Sequence, residues 1–532
     1  MEPTPPAAPW WRGGVIYQIY VRSFADSNDD GVGDLQGIVE RLDHLEWLRV
    51  DAIWLSPVTP SPNADWGYDV ADYTDVDPEL GDLATLDRLI ADAGERGIRV
   101  LLDLVPNHTS DRHPWFVDAR SDRAAEHRDW YVWADARADG DPPNNWLSTF
   151  GGPAWTWEPR TEQYYLHNFL PEQPDLNWWN DEVHDAFDDV LRFWFERGIA
   201  GFRIDVAHGL VKDREFRDNP PTTEDDPPRV RALGLRPVYN MNRPEVHDVY
   251  RRWRRIADAY EPSRLLIGET WQFDLAELAR YYGVGDELDL AMNFPFVFAE
   301  FGPALREVVE ASVAAMPEGA WPVWVGSNHD AGRFPTRWAD DDERKVRLAV
   351  MLLLTLRGTP ILYYGDEIGM SEVALSREDL LDPVGIRGWP DEPGRDPART
   401  PMRWTRDRGA GFTGDGVRAW LPIGDAAAAN VADQRSDAKS ILHLVRDLIG
   451  LRRDTPDLGS GPAGDVEAPR GVWAWRRGST TVVALNLSDE PAEMRASAGT
   501  IAIATDRRRD GEAVSDTLEL EPWQGVVVRT GA

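Results

Sequence analysis

Gly201-Phe202-Arg203-Ile204-Asp205-Val206-Ala207-His208 is the stretch on which the fold turns. Phe202 and Ile204 alternate with Arg203 and Asp205, the pattern of a short buried strand ending in a carboxylate. An Arg two residues before an Asp on one strand face holds that carboxylate ionised and fixed in direction. A lone Arg-x-Asp is more often a structural ion pair, and three further strand ends decide against that here.

Outward from this strand the chain alternates strand and helix. Strands are expected at 14–21, 52–55, 98–104, 201–205, 264–269, 288–293, 322–326 and 360–364. Helical patterns lie between them at 35–50, 83–96, 244–260 and 343–357, and a last helix is expected over 437–453. The 98–104 stretch is almost wholly apolar, as a strand covered on both faces must be. Eight strands in such alternation predict an α/β fold of the TIM (β/α)8 type.

Residues 108–178, rich in Trp, Pro, Asp and Asn, are too long for an ordinary βα loop and read as an inserted subdomain after strand three. Residues 209–243 are a second insertion, again just after a strand, and both lie on the side where such barrels carry their sites. From about 456 onward, short alternating strands such as Val482 to Leu485 and Gly525 to Val528 predict a C-terminal antiparallel β domain, a sandwich. The expected division is barrel 1–107, insertion 108–178, barrel 179–455 and β-sandwich 456–532.

The formal net charge of -35 argues against a nucleic-acid or anionic-membrane partner. The absence of cysteine removes disulfides, thiolate metal sites and a thiol nucleophile. Residues 1–11 show neither a basic nor an apolar leader region, so a cytoplasmic location is the expectation, with no membrane span and a monomer or homodimer. Many of the 25 Trp fall in loops, where they suit stacking on sugar rings or packing of loop on loop.

Four strand ends carry polar residues where apolar ones would pack better: Asp103 to His108, Arg203 with Asp205, Gly268-Glu269-Thr270 and Ser327-Asn328-His329-Asp330. Asp205, Glu269, Asp330, His108 and His329 therefore converge on one mouth. Paired carboxylates acting as nucleophile and general acid/base are the machinery of glycoside hydrolysis. In that reading Asp205, held by Arg203, attacks the anomeric carbon, Glu269 is the acid, and Asp330 orients sugar hydroxyls. His108 and His329 donate hydrogen bonds to the same ring. A metal site could use the same residue types, but a trapped cation would neutralise the nucleophile.

On these motifs the sequence resembles the α-amylase family, glycoside hydrolase family thirteen, over nearly the whole chain. The resemblance implies a retaining mechanism on α-glucosidic bonds, with Asp205 as nucleophile, Glu269 as acid/base and Asp330 as transition-state stabiliser. It also implies the barrel, the insertion and the C-terminal β domain. Gln173-Pro174-Asp175-Leu176-Asn177 and Asp65-Trp66-Gly67-Tyr68-Asp69 are similar to the oligo-1,6-glucosidase and α-glucosidase branch. There Asp65 and Tyr68 would line the pocket for the terminal glucose, and Arg399 would pair with Asp65, closing the groove and making the enzyme exo-acting.

Asp26-Ser27-Asn28-Asp29-Asp30-Gly31-Val32-Gly33-Asp34 places oxygen donors at alternate positions. It reads as a hard-cation loop for Ca²⁺, replaceable by Mg²⁺, with the side chains of Asp26, Asn28, Asp30 and Asp34 and the Val32 carbonyl as ligands. A solvated acidic turn is the alternative. Val206 after the nucleophile goes with α-1,6 action in the resembling branch, whereas Thr270 and the stretch His208 to Asp213 look more like enzymes of α-1,4 preference. The expectation is an exo-acting α-glucosidase on maltose-type oligosaccharides, with oligo-1,6-glucosidase and transglucosylase or sucrose- or maltose-converting isomerase as alternatives.

Overall fold

A computed structural model describes residues 9–531 of the chain; the leader reading of residues 1–11 lies largely outside them. Eight parallel strands form the centre: β1 (Ile16–Ile19), β2 (Ala52–Leu55), β3 (Arg99–Leu104), β4 (Gly201–Ile204), β5 (Leu265–Gly268), β6 (Leu290–Ala291), β7 (Val323–Val325) and β8 (Thr359–Tyr363). The hydrogen-bonded order runs β7-β8-β1-β2-β3-β4-β5-β6, the circular sequence of a TIM barrel with its ladder interrupted between β6 and β7.

Each strand splits its side chains between two apolar layers, as a period of two requires. Ile16, Trp54, Leu101, Leu265, Ile267, Val323 and Ile361 fill the barrel interior. Tyr17, Ile53, Leu102, Phe202, Ile204, Leu266 and Leu362 face the surrounding helices. Arg203 stands in register between Asp103 on β3 and Ile267 on β5. An arginine is thereby pointed into the barrel, where apolar residues otherwise pack.

The expected helix over 35–50 is two helices, Leu35–Glu40 and Leu42–Leu48, with the break at Arg41, whose guanidinium lies over the Trp404 ring. A helix at Pro303–Ala315, before β7, is absent from the sequence reading. The insertion after β3 holds a three-stranded sheet in the order Trp133–Ala134, Gln163–Leu166, Trp155–Glu158.

The second insertion packs onto the first. Phe216 lies edge-on to Trp146 and Trp155, and the two segments join through Asn145, which donates to the Asn219 carbonyl and accepts from the Asn219 N–H at 2.7 Å. Most loop tryptophans are spent in this way. Trp146, Trp155 and Trp178 are buried, and of the loop set only Trp157 and Trp389 are exposed, so packing of loop on loop accounts for most of them.

Beyond the helix Ile441–Asp454 the chain forms a six-stranded antiparallel sheet and a two-stranded one. This unit rests on the helix Glu343–Thr355, where buried Arg477 donates to the Thr355 carbonyl at 2.7 Å. No helix among the described residues is long and apolar enough to cross a membrane.

Candidate active site

The carboxylates at the C-terminal ends of β3, β4 and β5 meet on one guanidinium. Arg203 is fully buried; its Nη1 donates to Asp103 Oδ1 at 2.8 Å and Asp205 Oδ1 at 2.7 Å, and its Nη2 lies 3.0 Å from Glu269 Oε2. Glu269 Oε2 also accepts from the Val206 backbone N–H at 2.9 Å. Val206 reaches that position at φ 44°, a conformation costly for a β-branched residue and held here by its surroundings.

Arg203 works to keep Asp205 ionised against the rest of its surroundings. Burial pushes the Asp205 pKa well up, Glu269, Asp103 and Asp330 push the same way, and Arg203 opposes them. Asp103 is likewise pushed up to about 7, burial outweighing Arg203. One cation shared among three carboxyl groups cannot neutralise them all, so the cluster favours keeping a proton.

Asp330 differs. Burial acts to raise its pKa, but His329, Arg395 and Arg399 outweigh it and hold the carboxyl below the usual range. Its Oδ1 accepts from Arg399 Nη2 at 3.0 Å and Arg395 Nη1 at 3.2 Å. His329 is buried, which lowers its pKa to about 3, and its ring stacks on Tyr68 with centroids 5.4 Å apart. Tyr68 donates to Asp103 Oδ2 at 3.0 Å, and Gln18 Nε2 lies 2.8 Å from His329 Nδ1. His108, lowered to about 4 by burial, sits behind Tyr68 with Nε2 3.0 Å from both the Tyr68 carbonyl and Gln173 Nε2.

The expected partner of Asp65 is corrected. Asp65 Oδ1 accepts from Arg395 Nη2 at 2.6 Å, and Arg395 also grips Asp382 at 2.7 Å. Arg399 is fully buried, with Nε spent on the His329 carbonyl at 2.9 Å and Nη2 on Asp330. The two arginines flank one short 3-10 turn, Asp396–Ala398, and both reach Asp330 Oδ1. Arg395, missed by the sequence reading, therefore joins Asp65, Asp330 and Asp382 in one ion cluster. Lys212 is a second such residue: fully buried, it reaches Asp175 Oδ2 and Asn107 Oδ1, both at 2.7 Å, behind His108.

The acidic loop lies apart from this pocket. Asp26, Asn28 and Asp30 oxygens accept backbone N–H groups of their own loop, and Asp34 caps the helix Leu35–Glu40 and holds Ser27. Among the described residues no three His, Asp or Glu side chains form a cluster able to hold a metal ion. The donor set of carboxylates, amide and carbonyl still has the all-oxygen chemistry of a hard-cation site, with lone pairs beyond those that the loop amides use.

Known proteins share this architecture. The model of the alpha amylase catalytic domain matches residues 18–461. A probable alpha-glucosidase of Rhizobium meliloti (strain 1021) is 45% identical over 504 residues, spanning 92% of this chain and 91% of that protein. An oligo-1,6-glucosidase of Heyndrickxia coagulans is 36% identical over 484 residues, 83% of this chain and 85% of that one. Of solved structures, the alpha-glucosyl transfer enzyme XgtA superposes with a TM-score of 0.92 at 43% identity, over 98% of this chain and 100% of its own. The trehalulose synthase MutB of Pseudomonas mesoacidophila MX-45 does so with a TM-score of 0.89 at 32% identity, over 98% and 100%. With a buried carboxylate cluster at the mouth of a (β/α)8 barrel and a family match over most of its length, the chain belongs to the alpha-amylase family of glycoside hydrolases.

Proposed function

We propose that the chain is an exo-acting, retaining α-glucosidase that removes α-glucose from the non-reducing end of short α-1,4-linked oligosaccharides such as maltose. The observation that carries this reading is the closed end of the pocket, where Arg395 ties Asp65 to Asp330 and Asp382. We read this buried ion cluster as the block that closes the groove beyond one terminal sugar.

Asp205 attacks the anomeric carbon while Glu269 protonates the departing oxygen, and water then cleaves the glycosyl ester with Glu269 as base. Two features support the assignment. Glu269 Oε2 is engaged by Val206 N–H and Arg203, leaving Oε1 without a protein partner among the described residues and free to face the leaving group. Asp205 and Glu269 also share one guanidinium, which draws the two carboxyl groups together as the ~5–5.5 Å separation of retaining enzymes requires. Asp330, held ionised, takes hydrogen bonds from sugar hydroxyls as positive charge grows on the ring.

A product time course with maltose, isomaltose, sucrose and trehalose tests this. Glucose from maltose, released as the α-anomer, is the expected result; faster isomaltose turnover would make it an oligo-1,6-glucosidase, as Val206 suggests. The similarity to XgtA and MutB favours a second outcome, return of the glucosyl group to another hydroxyl of the sugar just released, which appears as new disaccharide without net glucose. The 26–34 loop is proposed to take Ca²⁺ in a structural role: a melting temperature lowered by chelator and restored by Ca²⁺ is expected, and no change on either would remove the site.

A further inference from the structure

At the opposite end of the barrel from the carboxylates, the starts of β3, β4 and β5 leave a cleft of about 220 Å³. Ile98, Val100 and Pro262 give it apolar walls, Trp10 an aromatic one, and Arg99 and Arg264 its charge. Gly94 on its rim has open space where a side chain would be.

These two arginines differ from several of the chain's partly or fully buried arginines. Arg203, Arg251, Arg252, Arg254 and Arg395 all have carboxylates at ion-pair distance. Arg99 has none among the described residues: its guanidinium lies over the Trp10 ring at 4.8 Å, and the acid it senses, Asp51, is engaged by the Val15 N–H. Arg264 donates from Nη2 to the Phe195 carbonyl at 3.3 Å, lies over Tyr260 at 5.2 Å, and leaves its buried Nε without a partner. Both are half-buried, and burial lowers the pKa of each. Two half-buried cations with no carboxylate at ion-pair distance leave charge that an anion would balance. A chain of net charge -35 has no shortage of carboxylates to supply one, yet none reaches here.

We propose that this cleft is a binding site for a small organic anion with a flat apolar body, a one-ring carboxylate, its charge set between Arg99 and Arg264 and its ring against Trp10. The volume limits the ligand, since pockets for drug-sized molecules begin near ~300 Å³. The site is remote from the catalytic mouth, so occupancy stabilises the fold without competing with sugar.

Calorimetric titration of the full chain with benzoate, beside its uncharged counterpart benzamide, tests the site. One saturable benzoate site per chain is expected, with benzamide weaker by roughly tenfold or more, the loss of a charge-assisted hydrogen bond. Arg99→Gln combined with Arg264→Gln should abolish benzoate binding while leaving turnover unchanged; Arg264→Gln alone should weaken it. Benzoate should also raise the melting temperature of the wild-type chain and leave KM for maltose unaltered. Equal binding of benzoate and benzamide, no saturable benzoate binding, or full binding by the double variant would each overturn the proposal.

Discussion

At the scale of the residue, the catalytic reading rests on one arginine with too many partners. Arg203 serves Asp103, Asp205 and Glu269 together. Asp205→Asn keeps the shape and the hydrogen-bond acceptor but cannot form the ester, so kcat should fall on the order of 10⁴-fold or more with little change in melting temperature. Wild-type kcat in that variant would remove Asp205 from the nucleophile's role. Glu269→Gln should slow maltose far more than an aryl glucoside with a good leaving group, which needs no protonation; equal losses on the two substrates would dismiss Glu269 as the acid. Arg395→Ala would strand Asp65 and Asp382, while Asp330 would keep Arg399. Breaking a buried ion pair costs about 3–5 kcal/mol, and we expect a lowered melting temperature with KM for maltose raised. Asp205, Glu269 and Asp330 were legible because each interrupts an apolar strand end. Arg395 was not, because its partner Asp65 lies 330 residues away and the stretch between β8 and the last helix has no periodicity to place it.

At the scale of the element, periodicity read the strands to within a few residues because both faces of each are buried. It placed helices at their observed starts at Leu35, Leu83 and Glu343, but it missed Pro114–Ala119, whose start depends on the kind of single capping side chain that periodicity cannot see. His113 is one: its Nδ1 accepts from the Trp115 N–H at 3.2 Å at the head of the helix Pro114–Ala119, and burial lowers its pKa to about 4. A histidine depressed in the fold stabilises it above the unfolded value of about 6.5, and that contribution is lost as pH falls through the folded value. Over that interval the stake is about 3 kcal/mol. His113→Gln keeps an acceptor that does not titrate, so the melting-temperature gap between the wild type and this variant should move against the wild type from pH 6.5 down to 4. A gap independent of pH would mean that His113 is protonated alike in both states. The break at Arg41 was illegible for a different reason: the sequence on both sides continues one amphipathic stripe, and the turn is set by the distant Trp404.

At the scale of the whole molecule, the C-terminal unit is pinned to the barrel by Arg477, a buried cation whose partner is the Thr355 carbonyl at the end of the helix Glu343–Thr355. Arg477→Met should lower the melting temperature by leaving the Thr355 carbonyl unsatisfied, a cost of about 1–3 kcal/mol, with kcat on maltose unchanged. A parallel loss of kcat would show that this unit shapes the pocket. The domain order was visible in the chain; the docking of the 209–243 segment on the 108–178 insertion was not, because Phe216 and Asn219 look like ordinary loop residues until Trp146, Trp155 and Asn145 stand beside them. From that contact a run of amides continues inward, Asn219 to Asn240 at 2.8 Å, Asn240 to Asn168 at 2.7 Å, and Asn168 to Asp175 at 2.7 Å, ending on the carboxylate that Lys212 holds. The two segments are therefore one heirloom cut in half by the barrel: a lineage that exchanged either alone would inherit mismatched halves of a roof, and only chimeras that carry both together should keep a working pocket.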